Sequence, residues 1–115
     1  MLNEDLLQTF KKCLSASELE EFFRHHHEMM QQEEERIRQA LADDDLPALG
    51  HAAHKIAGSA GTPCLPLVYR LSLDLNEAVR IGHREQARTL AAQLLTARPK
   101  AWKMLVDRLP QRNPD

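Results

Sequence analysis

Histidine is the residue type in this chain best suited to chemistry, because imidazole titrates near neutral pH and serves as nucleophile, proton carrier or metal ligand. The 115 residues include six histidines. They are His25, His26, His27, His51, His54 and His83. Successive side chains on a helix point about 100° apart, so three consecutive histidines cannot share one metal ion. We therefore predict that the run at 25–27 lies at the surface and rim of the core, with His26 touching it.

His51 and His54 are three residues apart, a spacing at which two histidines on one helix can provide half of a metal site. No third and fourth ligand can be named from the sequence. Glu-x-x-His spacing on two helices, with the carboxylates facing inward, would indicate a small metal-binding bundle, and the sequence does not show it. We therefore predict no metal ligands and no cofactor bound by this chain.

His54 is distinguished by its surroundings. On a helical projection it lies about 110° from the centre of the predicted apolar stripe, at the edge of the buried face. That stripe consists of Leu49, Ala53, Ile56, Ala57 and Ala60. Gly58 follows one turn later. A glycine inside a helix costs roughly 0.5–1 kcal/mol relative to alanine, so it needs a reason. It either leaves the imidazole open to a large partner or allows another helix to pack closely, and the spacing favours neither.

An exposed imidazole of this kind suits phosphoryl transfer. At pH 7 roughly three-quarters of an unperturbed histidine is neutral, and one ring nitrogen can then attack phosphorus. Catalysis of such a step is mostly positioning and charge neutralisation. The sequence places no carboxylate cluster beside His54 to hold Mg²⁺, so we expect a partner to bring the metal.

The composition predicts one helical domain over residues 1–115. Hydrophobic residues make up 43%, charged residues 28% and aromatic residues only 4%, a mixture that favours helix over strand. The net charge of −2 argues against binding nucleic acid or an anionic membrane. No apolar run approaches the ~20 residues needed to cross a bilayer. Cys13 and Cys64 are far apart, so we expect two free thiols and a cytoplasmic location.

Apolar periodicity and helix breakers predict an all-α antiparallel four-helix bundle, a monomer preceded by a short N-terminal helix. Ser17 is expected to cap the second helix with Glu20, and Gly61 to close the third in a left-handed conformation. Pro99 is expected to kink the last helix without breaking it. The predicted helices cover residues 3–14, 18–42, 46–60, 64–81 and 83 onwards, and Ala60 and Leu67 are expected to be buried.

The sequence from Ala53 to Gly61, AHKIAGSAG, followed by Leu65-Pro66-Leu67 and by residues 71–76, resembles the histidine phosphotransfer (Hpt) domain family. The motif of that family reads roughly His-x-Leu-Lys-Gly-Ser, and it aligns here without a gap. The resemblance implies a phosphorelay intermediate that takes a phosphoryl group from a receiver-domain aspartate and passes it to another. It implies no ATP-dependent kinase activity of its own, and the chain has no nucleotide-binding motif.

The resemblance implies that His54 is the phosphoacceptor and that Gly58 keeps it accessible, with Ser59 in the supporting motif. Asn76 falls where the family tends to carry Glu or Gln, which in some members bonds the second ring nitrogen. The family often has a lysine three residues after the histidine, where this chain has Ala57. Lys55 is adjacent but points about 100° away from His54. Cys64 stands where the family usually has glycine.

The partners implied by the resemblance are response-regulator receiver domains, which would carry Mg²⁺, and a sensor histidine kinase. The chain could also be the C-terminal module of a hybrid sensor kinase. A different class of function also fits the helices, namely a non-catalytic adaptor or dimerisation bundle in which Gly58 and Gly61 serve packing and capping. Such an adaptor would bind a receiver without taking up phosphate.

Overall fold

The chain folds into a bundle of helices with no strand among residues 2–109, the part that this computed structural model describes. All-α architecture is therefore confirmed. A short 3₁₀ turn at Thr62–Cys64 lies between the third and the fourth helix. They are α1 (Glu4–Cys13), α2 (Ala16–Asp43), α3 (Leu46–Ala57), α4 (Pro66–Arg80) and α5 (Arg84–Val106).

Short polar side chains begin the first three helices. The Asn3 side chain accepts a hydrogen bond from the Leu6 amide, and the Asp45 side chain accepts one from the Ala48 amide, as the sequence predicts. The prediction for α2 is wrong by two residues. The cap is Ser15, and Glu18 completes the capping box by accepting from the Ser15 amide. This carboxylate's hydrogen bonds to Ser15 lower the pKa of Glu18.

The ends of the helices differ more from the predictions. Asp44 ends α2 with φ 52°, and Gly82 follows α4 with φ 77°. Gly61, expected to be left-handed, has φ −80° and belongs to the turn before the 3₁₀ segment. The third helix stops at Ala57, three residues early, because the chain already turns at Gly58 to enter that segment. The fourth helix correspondingly begins at Pro66 rather than at Cys64.

The core is aliphatic and is drawn from all five helices. Two predicted core residues lie outside it: Ala60 is exposed in the turn after α3, and Leu67 is 55% exposed at the start of α4. Pro99 does not break α5, which is one continuous helix from Arg84 to Val106. The fully buried core residues include Leu7, Leu19, Phe23, Met30, Ile37, Leu49, Ile56, Leu75, Leu94 and Leu105.

The third helix packs between α2 and α4, and α5 packs against α4 and α2. Gly50 lies where α3 packs closely against α4. A Cβ at this position would lie 2.8 Å from Val79 Cγ1, so only glycine permits this spacing without a shift. No pattern in the sequence distinguishes Gly50 in advance. This contact fixes which side of α3 faces α4.

A buried polar cluster joins α2 to α5. Arg98 is in ion-pair contact with Glu34, and its Nη1 donates to His27 Nδ1 at 2.7 Å. The His27 ring stacks on Trp102 with centroids 4.0 Å apart. Burial and the Arg98 charge lower the pKa of His27, against a smaller opposing effect of Glu28. His27 therefore serves as a neutral acceptor that helps to fix α5 on α2.

The two cysteines are free thiols, as predicted, with Cys13 exposed and Cys64 buried. Burial raises the pKa of Cys64 to about 11. No helix within residues 2–109 is long and apolar enough to span a membrane.

Candidate functional site

His54 lies one turn before the end of α3, with its side chain exposed as the helical projection predicts. Its neighbours in sequence, Ala53 and Ile56, are fully buried and attach the helix to the core. The His54 carbonyl accepts the Gly58 amide at 2.9 Å, so the backbone around the imidazole is regular helix. The ring is therefore held on a rigid element and presented to solvent.

Gly58 leaves space beside the imidazole. It is the last, capping residue of α3, with φ −79°, and a Cβ built there would meet only two carbonyl oxygens of its own helix. These are His54 O at 3.3 Å and Lys55 O at 3.9 Å. No other element among residues 2–109 approaches within 4 Å. Close packing of another helix therefore does not explain Gly58. Of the two explanations suggested by the sequence, the one left is that Gly58 keeps the approach to the His54 side chain open.

Lys55 is held away from His54 by a buried carboxylate. Its Nζ lies 3.5 Å from Glu33 Oε2, on α2, and Glu33 is also in ion-pair contact with Arg36. Glu33 is only 1% exposed, so both cations contact its side chain at the boundary of the core. The role of Lys55 in the structure is to join α3 to α2. The sequence offered a hint of this, because Glu33 falls within the apolar arc of its helix.

Asn76 and Ser59, which the sequence analysis assigned to the site, lie on two different segments. Asn76 is half-buried on α4, one turn before Val79, and thus on the side of α4 that faces α3. Within the described chain, it makes no hydrogen bond to the His54 ring. Ser59 is half-buried in the turn after α3, where its amide donates to Ile56 O at 3.2 Å. The structure therefore brings Gly58 and Ser59 to the end of the same turn, and Asn76 to the adjacent helix.

His26, on α2, contacts the turn that follows His54. The His26 Nε2 atom lies 2.9 Å from Thr62 Oγ1, and both residues are buried. Gly61 packs on the same ring, since a Cβ there would lie 2.8 Å from His26 Cδ2. His26, which sequence analysis placed only in contact with the core, is thus a buried support for the end of the site.

In comparison with protein-family models, the chain matches the Hpt domain over residues 26–112. The match covers most of the chain and includes α3 with His54. The chain belongs to the Hpt domain family. Hpt domains carry out histidine phosphotransfer in phosphorelays, where they interact with receiver domains and kinases. Searches of curated proteins and of solved structures found no match.

This Hpt domain lacks a side-chain cation at the usual place. Ala57, where the family often has lysine, is half-buried and carries no charge. The neighbouring Lys55 is engaged with Glu33.

The two glycines of α3 predict opposite responses to substitution by alanine. We expect Gly50→Ala to lower the free energy of unfolding by about 1–2 kcal/mol, because the crowding against Val79 outweighs the better helix propensity. We expect Gly58→Ala to stay within about 0.5 kcal/mol of wild type, since its Cβ meets no other element. Urea unfolding of both variants measures the difference. Equal losses at the two positions would contradict this assignment of open space to Gly58.

A pH dependence of stability follows from His26. Burial, with smaller contributions from the Arg98 and His27 charges, lowers the pKa of His26 from 6.5 to about 4. Between these values the unfolded chain binds a proton that the folded chain does not. Stability is therefore intact above about pH 6.5 and falls as the pH drops towards 4, by up to about 3 kcal/mol. The lowered pKa of His27 acts in the same direction.

Thermal unfolding followed by circular dichroism from pH 7.5 to 4 measures this slope. Gln at position 26 can keep a hydrogen bond to Thr62 but does not titrate, so His26→Gln should flatten the profile. His25→Gln is the matched control, because His25 is exposed on the same helix and should leave the slope unchanged. A His26→Gln profile as steep as that of wild type would refute the assignment.

Proposed function

We propose that this chain is a phosphorelay intermediate in which His54 accepts a phosphoryl group from a receiver-domain aspartate and passes it to another receiver. The observation that carries the proposal is the exposed His54 on a rigid helix, with Gly58 leaving its side open. The family match supports it, because the stretch that resembles the family motif lies inside the matched residues. A receiver domain is a large partner, and it needs such unobstructed access.

The reaction requires little chemistry from the chain itself. A neutral ring nitrogen of His54 attacks phosphorus in line, and the N–P bond forms as the P–O bond to the aspartate breaks. The aspartate carboxylate leaves with the bonding electrons, and the second ring nitrogen keeps its proton. We assign to Asn76 the orientation of that second nitrogen, reached by a side-chain movement within the α3–α4 boundary. Ser59 and Gly58 hold the end of the turn open.

Mg²⁺ in this proposal is bound by the receiver. Residues 2–109 contain no cluster of three or more His, Cys, Asp or Glu side chains placed to hold a metal ion. The metal would neutralise phosphoryl charge from the partner's side of the complex. The chain's contribution is the nucleophile, its orientation and its accessibility.

We further propose that the domain works in the cytoplasm as a monomeric antiparallel four-helix bundle, with a short leading helix, over residues 1–115. Its partners are then response-regulator receivers and a sensor histidine kinase, and it lacks kinase activity of its own. Serving as the C-terminal module of a hybrid sensor kinase is compatible with this role. Size-exclusion chromatography with light scattering tests the monomer, and a dimer would contradict it.

The test of the function is incubation with a panel of purified receiver domains carrying ³²P on their aspartates. We expect transfer of label to this chain from at least one receiver, with the acid lability and base stability of phosphohistidine. A non-catalytic adaptor would bind a receiver without acquiring label. Binding with no label from any receiver would overturn the proposal in favour of that alternative.

A further inference from the structure

The turn of α3 that precedes His54 carries a second exposed histidine, His51. Residues three apart on a helix are surface neighbours, with Cβ atoms about 5–6 Å from each other. Side chains on an α-helix also lean towards its N-terminus. The His54 side chain therefore leans over the turn that contains Gly50 and His51, so His51 is on the side towards which the phosphoacceptor points.

The other helix positions around His54 offer no free polar group. Gly50 and Gly58, one turn before and after, have no side chain, and Ala57 is apolar. Lys55 is paired with the buried Glu33. Of the α3 positions surrounding the phosphoacceptor, His51 is thus the one that supplies an uncommitted hydrogen-bond donor.

His51 also differs from four of the other histidines, each of which has a side-chain partner. His25 pairs with Glu21, and His26 is hydrogen-bonded to the Thr62 side chain. His27 is hydrogen-bonded to Arg98, and His83 to Gln86. Across residues 2–109, neither His51 nor His54 has a hydrogen-bond or ion-pair partner for its ring. His51 borders a groove between α2 and α3. Whether neutral or protonated, its imidazole keeps at least one N–H donor.

We propose that His51 donates this N–H to a non-bridging oxygen of the phosphoryl group during its transfer to and from His54. It would place a hydrogen-bond donor beside the phosphoryl group in a chain that has Ala57 where the family often has lysine. His51 gives up no proton, so the balance of the transfer is unchanged: the N–P bond forms as the acyl-phosphate P–O bond breaks. This inference rests on the proposed function of His54.

The test compares single-turnover transfer rates from one ³²P-labelled receiver domain, the one that labels the wild-type chain fastest. We expect His51→Ala to slow labelling by about three- to tenfold, the effect of losing one solvent-accessible hydrogen bond to a charged group. The label should remain on His54. His51→Gln places an amide N–H near the position of Nε2 and should recover most of the rate. His83→Ala, another exposed histidine, is the matched control and should transfer at the wild-type rate.

A second readout does not need a receiver. His54 can be phosphorylated with phosphoramidate and followed by ³¹P NMR, in which a hydrogen bond from His51 should shift the phosphohistidine resonance relative to His51→Ala. His83→Ala should give the wild-type resonance. Circular dichroism checks that each variant is folded, which we expect because both substituted residues are exposed.

The outcomes separate this inference from the proposed function. A wild-type chain that takes no label from any receiver overturns the proposed function, and the role of His51 with it. Labelling of His54 with equal rates in wild type and His51→Ala overturns the role of His51 alone. Slow transfer in both His51→Ala and His51→Gln would also overturn it, because the restored donor would then have no effect.

Discussion

His54→Gln should abolish phosphoryl uptake while leaving the fold intact. Glutamine fills a similar volume and keeps polar atoms at the surface, but it has no nucleophilic ring nitrogen. We expect the transfer rate to fall by at least roughly a thousandfold, as for removal of the nucleophile from other group-transfer proteins. Because His54 is exposed and its ring has no bonding partner among the described residues, the free energy of unfolding should change by less than about 0.5 kcal/mol.

His25→Gln is the control for this substitution. His25 is exposed on α2 and contacts only carboxylates of its own helix, Glu21 and Glu28. It should retain wild-type transfer. The measurement is ³²P uptake from a labelled receiver, with circular dichroism at 222 nm for the fold. Label retained by His54→Gln, or lost from His25→Gln, would show that another histidine is the phosphoacceptor.

The sequence predicted the start of a helix correctly where the local pattern indicated a single capping residue. Asn3 and Asp45 directly precede apolar periodic stretches, and both cap the predicted helices. Ser15 and Ser17 both have glutamate three residues later, so two capping frames compete. A helix capped by Ser15 starts two residues earlier than one capped by Ser17 and so contains more helical hydrogen bonds. The Ser15 cap is the one formed. A local pattern cannot rank two frames that differ only in helix length.

The exposure of His54 was predictable because helical phase and apolar spacing determine it. The partners of its neighbours were not, because they depend on contacts between helices. Lys55 on α3 pairs with Glu33 on α2, and His27 on α2 accepts from Arg98 on α5, 71 residues away in sequence. The early end of α3 was missed for a similar reason. The turn at Gly58 is stabilised by Thr62 binding to His26, which is a contact from another helix.

Of the single substitutions proposed for this protein, Arg98→Met should lower the free energy of unfolding most, because it leaves the buried Glu34 carboxylate without its main partner. Glu34 is 2% exposed, and Arg98 is 6% exposed. Methionine retains the apolar stem and the helix propensity, so the change isolates the guanidinium. Loss of the partner of a buried ion costs about 3–5 kcal/mol. For a domain of this size that is a fall in melting temperature of roughly 10–20 °C.

Three features of the cluster determine this expectation. The guanidinium also donates to His27, so its removal leaves the Nδ1 atom of that ring unpaired beneath Trp102. Arg38 lies 3.8 Å from Glu34 but is half-exposed, so it compensates little. The pair is not ideal, because Glu34 Oε1 and Arg98 Nε make no hydrogen bond within the described residues. Removing both charges should therefore cost much less than removing one.

The double variant Glu34→Gln with Arg98→Met tests that reasoning, and we expect it to recover about half or more of the lost stability. Arg108→Met is the matched surface control, since Arg108 pairs with Glu4 at 3.0 Å while both side chains are about half-exposed. Its loss should stay below about 1 kcal/mol. Thermal unfolding of the four proteins at pH 7.5 keeps His26 and His27 neutral throughout. If Arg98→Met melts within a few degrees of Arg108→Met, or if the double variant is no more stable than Arg98→Met, the buried pair does not hold α5 on α2.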